Sequence, residues 1–447
     1  MLPAIIADHM VLQQEQTVKI WGWTTNSSEQ ISIQATWNKD TVSTRAARGY
    51  WELELQTPSY GGPYKIHILG HEKITIKDVL IGEVWLASGQ SNMEMPVDSV
   101  RRGFPGMMDY QSEIAAADYP KIRLFLVEKK LAYAPQDDLI GQWSVCSPTT
   151  VRNFSAVAYV FGEQIHKTLQ VPVGMIASSW GGTNAETWIR KEYLEADPNL
   201  AKSAQERTEN RNWPFRVGHA FNGMIHPIIK FSIKGAIWYQ GESNRPNANQ
   251  YAAVMEALIK NWREEWESEF PFYFTQIAPY NYQQGVAGTY VREAQLKTLS
   301  VPKTGMAVTN DLGNIKNIHP RLKREVGERL ALWALAKDYG QTNLIYSGPL
   351  FRSMQIKGAN ATINFDHASS GLVTNGIKLI GFEVAGSDQV FHPAEASIKG
   401  QSVVVHSAKV TKPVAVRFAF GDQIEPNLYN VAGLPASAFR TDNWKEK

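Results

Sequence analysis

The chain has 447 residues, 43% of them hydrophobic and 20% charged, with a formal net charge of +2. That length exceeds what one hydrophobic core serves well, so two or three domains are expected. The near-neutral charge argues against nucleic acid or an anionic membrane as partner, and no apolar run is long enough to span a bilayer.

Residues 1–80 read as short strands between polar turns: "TVKIWGW", "QISIQATW", "YWELELQT" and "YKIHILG". They predict a small all-β domain. From "DVLIGEVWLAS" onward the pattern changes. "FSAVAYVFGEQIHKTLQ" has helical spacing with Ser155 placed to cap it, and "VPVGMIASSW" follows as a short buried strand. Next come a strand in "GAIWYQG", a helix in "YAAVMEALIKNWREEWES", a strand in "FPFYFTQIAPY", a helix in "VREAQLKTLS" and a strand in "TGMAVTND". The helix "PRLKREVGERLALWALAKDYG" closes the series, with Pro320 near its start and Gly340 after its end. This alternation over 81–342 predicts a parallel sheet covered by helices on both faces, with any ligand at the carboxyl ends of the strands. From 343 to 447 strands return in "ATINFDH", "KLIGFEVAG", "SVVVHSA" and "PVAVRFAF", predicting a mostly β domain.

Four strand ends carry unusual polar clusters: Ser88-Gly-Gln-Ser91-Asn92, Trp180-Gly-Gly-Thr183, Gln240-Gly-Glu242-Ser-Asn244 and Asn317-Ile-His319-Pro320. Acyl transfer needs a hydroxyl, a base for its proton, a group orienting that base, and donors for the oxyanion. Ser91 offers the hydroxyl and His319 the base. Gly182 can present a main-chain N–H with no side chain in the way, and Gln240, Asn244 or Asn92 can add an amide donor. Each also has a plainer role: Ser91 as a turn residue, His319 as a helix cap, Gly181-Gly182 as a tight turn.

Taken together, "VWLASGQSNMEMPV", "GMIASSWGGTNAETWI", "IWYQGESN" and "IHPRLKREVGERLALWAL" resemble the successive motif blocks of the SGNH-hydrolase superfamily. Within it they resemble the sialate O-acetylesterase-like carbohydrate esterases. "GGPYKIHILG" and "NLYNVAGLPASAFRTDNW" extend the resemblance to nearly the whole chain. The resemblance implies a three-layer α/β/α, flavodoxin-like core with small all-β domains at both ends. It also implies Ser91 as nucleophile and His319 as general base. Ser91 N–H, Gly182 N–H and an amide near Gln240 to Asn244 would form the oxyanion hole. The pattern departs at one point: where many SGNH hydrolases have an aspartate two or three residues before the histidine, this chain has Asn317 and Lys316. By the same resemblance Glu242 of Gln-Gly-Glu is the expected substitute; Asp311, at the end of another predicted strand, is the reserve candidate.

Trp180, Trp188 and Trp238 flank the expected site and are candidate sugar platforms, although buried core is the ordinary role of tryptophan. Arg190 and Arg245 are candidates for a sugar carboxylate, against ordinary roles at helix ends or the surface. No HExxH pattern or phosphate-binding glycine loop is present, and neither metal nor organic cofactor is expected. The single cysteine, Cys146, excludes an internal disulfide. The opening "MLPAIIADHMVLQ" lacks signal-peptide features. A periplasmic or secreted protein whose leader has been removed is expected, with a cytoplasmic one as the alternative. The functional expectation is a serine esterase that removes O-acetyl groups from carbohydrate. Its competitor is a carbohydrate-binding protein on the same scaffold.

Overall fold

The apolar stretch from Val79 to Ala87 organises the first half of the chain. In the computed structural model, which describes residues 1–38, 40–99, 103–205, 213–283 and 285–444, it belongs to one long strand, Lys73–Gly89. Every residue of that strand from Val79 onward is buried. Such unbroken burial is expected of a strand flanked on both sides and covered on both faces.

Its neighbours are the parallel strands Val173–Ser179 and Gly235–Tyr239. Tyr119–Val127 lies parallel beyond the first of these, and Gly141–Cys146 closes that edge antiparallel. The antiparallel edge departs from the purely parallel sheet expected. No helix intervenes between residues 127 and 141, so the chain returns beside its predecessor without a crossover. Helix Ala156–Leu169 packs close to the sheet; a Cβ on Gly162 would lie 2.7 Å from Met175 Cγ. Ser155 caps this helix as expected, accepting a hydrogen bond from the Ala158 N–H at 3.2 Å.

The first half of Lys73–Gly89 pairs antiparallel with Gly61–Leu69, which pairs with Gln30–Ala35, which pairs with Thr41–Arg45. Thr17–Trp23 and Tyr50–Gln56 form a separate antiparallel pair. The strand Lys73–Gly89 runs without a break through the 80–81 boundary read from the sequence.

The chain divides into two compact units. The first comprises Met1–Gln240 and Val254–Phe272, the second Gly241–Ala253 and Tyr273–Lys447. The second unit contains helices Ala287–Thr298 and Lys323–Lys337 and strand Thr304–Ala307. The last helix starts after the expected Pro320: Lys323 N–H donates to Arg321 O at 2.8 Å in a turn that precedes it.

Two four-stranded sheets follow. One runs Leu350–Lys357, Asn360–Asp366, Ser402–His406, Glu395–Lys399; the other runs Phe391–Pro393, Phe382–Ala385, Ala415–Phe418, Phe439–Arg440. Ile363, Val403 and Val405 from the first meet Val384, Val416 and Phe418 from the second in one core. Period-two alternation places these side chains inward. A buried polar network ties this β region to helix Ala287–Thr298. Asp422 accepts from Thr289 N–H at 2.7 Å and from Thr289 Oγ1 at 3.0 Å, and Arg292 donates to Gly421 O at 2.6 Å. The molecule is thus a mixed α/β fold with a large central sheet and additional all-β sheets toward its C-terminus. Among the described residues, no helix is long and apolar enough to cross a membrane.

Candidate active site

Strand register brings two of the four polar clusters, and Gln240 at the start of a third, to one level in the first unit. Gly89 pairs with Ser179 on one side and with Tyr239 on the other. The residues after each therefore leave the sheet at the same height: Gln90-Ser91, Trp180-Gly181-Gly182 and Gln240. Main-chain bonds stitch these ends together, with Gln90 N–H donating to Tyr239 O and Trp180 N–H to Gly89 O, both at 3.0 Å. Gly89 has φ +136°, and a Cβ there would fall 2.2 Å from Tyr239 O. Only glycine permits this turn.

Ser91 is the first residue of a short helix, Ser91–Glu94, and is partly exposed, whereas Asn92 and Met93 are buried. Its N–H has no partner among the described residues, as expected in a first helical turn. Gly182 adopts φ +76°, and its N–H likewise has no partner among the described residues. Gly181 lies so near the serine that a Cβ there would be 3.3 Å from Ser91 Cβ. The turn thus holds a hydroxyl near main-chain N–H groups at the end of a hydrogen-bonded sheet.

Glu94, which sequence reasoning passed over, fixes the arrangement. Its Oε2 accepts from Gly181 N–H at 2.6 Å and its Oε1 from Lys129 Nζ at 2.7 Å. The amide Nε2 of Gln240, fully buried, donates to Thr183 O at 3.1 Å and so holds the turn from its other end. Trp180 is partly exposed, with Lys129 Nζ 5.4 Å from its ring centre.

Trp188 and Trp238 are core. Both are fully buried, 6.2 Å apart edge to face, and Trp188 Nε1 donates to Thr183 Oγ1 at 3.0 Å. Arg190 is engaged by Glu265 at 2.8 Å and Glu264 at 3.3 Å, while its N–H donates to Asn261 Oδ1 at 2.9 Å.

The second unit holds Glu242, Asn244, Asp311, Asn317 and His319. Glu242 and Asn244 sit in a buried 3₁₀ segment, Glu242–Gln250, that follows Gly241. A Cβ on Gly241 would lie 2.7 Å from Ile277 Cγ2 and 3.0 Å from Val291 Cγ1, so a side chain there would push the segment off its helix. Asn244 N–H donates to Gly241 O at 2.9 Å, and its Nδ2 to Asn247 Oδ1 at 3.4 Å. Arg245 Nε donates to Glu242 O at 3.0 Å, and its guanidinium stacks 3.9 Å from the centre of the Tyr282 ring. Arg245 therefore braces the loop.

His319 is partly buried. Burial, helped by the positive charge of Lys323, pulls its imidazole from 6.5 down to about 4. It is therefore neutral at pH 7 and able to accept a proton. Lys323, fully buried four residues later at the start of the helix, is pulled down to about 7 by burial, against the raising effect of the Glu242 carboxylate. Sequence reasoning missed Lys323 because a lysine in the first turn of an amphipathic helix reads as solvent-facing. Asn317 Oδ1 accepts from the main-chain N–H of His319 at 2.9 Å, which places it on the loop backbone. Asp311 forms a bidentate pair with Arg329, both contacts at 2.7 Å.

Comparison with known proteins places the chain. Residues 81–336 match the family described as carbohydrate esterase, sialic acid-specific acetylesterase. Sialate O-acetylesterases from Mus musculus and Homo sapiens are each 32% identical over 428 and 408 residues, covering 81% of this chain and 78% and 75% of theirs. The chain belongs to this family of carbohydrate esterases. A crystal structure of a carbohydrate acetylesterase from Xanthomonas citri is 37% identical, with a TM-score of 0.91, covering 99% of this chain and 100% of that one. The enzyme is a carbohydrate O-acetylesterase, and the family-matched span contains Ser91, Gly182, Gln240, Glu242 and His319.

Proposed function

We propose that the enzyme hydrolyses O-acetyl groups on carbohydrate through an acetyl-serine intermediate on Ser91. Ser91 Oγ attacks the acetyl carbonyl carbon while His319 takes its proton. The oxyanion accepts from Ser91 N–H and Gly182 N–H, with an amide among Asn92, Gln240 and Asn244 as a further donor. On collapse, protonated His319 returns the proton to the departing sugar oxygen. Water, deprotonated by His319, then attacks the acetyl carbonyl carbon, and His319 returns that proton to Ser91 Oγ as the ester bond breaks and acetate leaves. Glu242 is the carboxylate assigned to support the imidazolium, and the core is read as a three-layer α/β/α SGNH-hydrolase sandwich.

The observation that carries this reading is the turn after Gly89. It puts a partly exposed serine beside two main-chain N–H groups with no partner among the described residues, in a chain of a carbohydrate esterase family. The family makes the purely carbohydrate-binding alternative the less favoured one. Acetylated xylan and O-acetyl sialic acid are both candidate substrates, and the Mus musculus and Homo sapiens relatives carry the name sialate O-acetylesterase.

The test compares acetyl with octanoyl nitrophenyl esters, then acetylated xylan with O-acetyl sialic acid, for wild type and Ser91→Ala. Preference for acetyl and for one of the glycans, abolished in Ser91→Ala, is the expected result. Preference for octanoyl overturns the substrate class, and an active Ser91→Ala overturns the mechanism.

A further inference from the structure

Trp213 is a large aromatic side chain left 46% exposed, whereas Trp188 and Trp238 are fully buried. Its position is unusual. A Cβ built on Gly182 would fall 2.3 Å from both Cγ and Cδ1 of Trp213 and 2.7 Å from Cδ2, so the five-membered ring of the indole lies directly against the Gly182 backbone. Gly182 follows Gly181, whose Cβ position is 3.3 Å from Ser91 Cβ. The indole is thus anchored to the same glycine turn that flanks the serine, and much of its surface faces solvent. Trp180, the other tryptophan of this turn, has the Lys129 ammonium set over its ring. Core packing accounts for neither the exposure of Trp213 nor its seat on a positive-φ glycine.

We propose that Trp213 is a sugar platform, on which the pyranose bearing the scissile acetyl, or its neighbour in the glycan, stacks its C–H face. An aromatic face carries partial negative charge and attracts the weakly positive C–H groups of a pyranose, while ring hydroxyls stay in water. The contact acts on the carbohydrate part of the substrate, which a nitrophenyl ester lacks. This inference rests on Ser91 being the nucleophile.

The experiment measures kcat and KM of wild type, Trp213→Ala and Trp213→Phe on 4-nitrophenyl acetate and on acetylated xylan fragments or O-acetyl sialic acid, whichever wild type turns over faster. Trp213→Ala is expected to raise the glycan KM by roughly tenfold with kcat little changed, the signature of lost ground-state and transition-state binding alike. Its kcat/KM on 4-nitrophenyl acetate stays within about twofold of wild type, which also shows the fold intact. Trp213→Phe restores most of the glycan KM. An unchanged glycan KM overturns the proposal. Equal losses on both substrates overturn it too, because they mean that Trp213 only shapes the glycine turn. Ser91→Ala, run alongside, separates the two readings: if it is inactive while Trp213→Ala matches wild type on glycan, the nucleophile stands and the platform falls.

Discussion

The two compact units prepare the proposed chemistry by different physical means. In the first, the polar equipment near Ser91 is mostly main chain: N–H groups of Ser91 and Gly182, aligned by strand register and pinned by Glu94. Such dipoles keep their orientation and do not titrate. In the second, the equipment is titratable: His319 held at about 4, Lys323 at about 7, and a buried Glu242 coupled to that lysine. The lesson is that pH dependence should originate in the second unit, and sensitivity to small geometric change in the first.

The largest expected effect breaks the first unit. Ser91→Ala should lower kcat by about 10⁴-fold or more, leaving only oxyanion stabilisation and binding. In the second unit, Glu242→Gln should lower kcat by about 10²–10⁴-fold if the carboxylate supports the imidazolium. It should also destabilise the fold, because the Glu242 carboxylate favours the charged form of the buried Lys323. Chemical denaturation separates the two effects, and a fully active, equally stable Glu242→Gln contradicts both.

Glu94→Gln sharpens the contrast. It takes the negative charge from the acceptor of the Gly181 N–H while leaving an amide oxygen in its place. A fall in kcat of roughly tenfold, common to every acetyl ester and with the pH profile unmoved, is expected. A displaced pH profile would show that the division between the units is misdrawn.

His319 gives the pH prediction. It must be neutral to act as base, so kcat/KM should be flat above about pH 5 and fall as pH drops through about 4. Lys323→Met removes a positive charge that lowers the imidazole, so the limb should move upward, short of 6.5 because burial persists. For stability the sign is the same. The folded value lies below the unfolded 6.5, so the unfolded chain binds more protons between pH 6.5 and about 4, and this group's contribution is lost as pH falls through that window. The smallest effects are those of Asp311→Asn and Asn317→Ala. Asp311→Asn should cost about 1–3 kcal/mol of stability through its part-buried pair with Arg329, and Asn317→Ala, at an exposed site, about 1 kcal/mol or less, with kcat nearly retained in both. A crippled Asp311→Asn beside an active Glu242→Gln would transfer the supporting role to Asp311.

Legibility in the sequence followed locality. Val403 and Val405, alternating along Ser402–His406, and the Ser155 cap are local patterns, and the structure bears them out. Tyr119–Val127 escaped notice because Arg123 interrupts its apolar run, yet that arginine is buried and bonded twice to Asp78, at 2.6 and 3.2 Å. In the site, the Ser91 and Gly182 blocks stand out by composition alone. Glu94 does not, because its meaning depends on Gly181 arriving from 87 positions away. Trp213 lies outside any periodic segment, and its contact with Gly182 exists only in three dimensions. Arg190 shows the converse: a plausible ligand in sequence, already engaged by Glu264 and Glu265 in the fold.

The central claim is that Ser91 carries the acetyl group. Treatment of the native enzyme with a serine-directed phosphonate, followed by peptide mass spectrometry, tests it most directly. The account predicts stoichiometric labelling on the peptide containing Gly89-Gln90-Ser91, loss of esterase activity in step with labelling, and no label in Ser91→Ala. A label on another serine, or full labelling with activity retained, would contradict it.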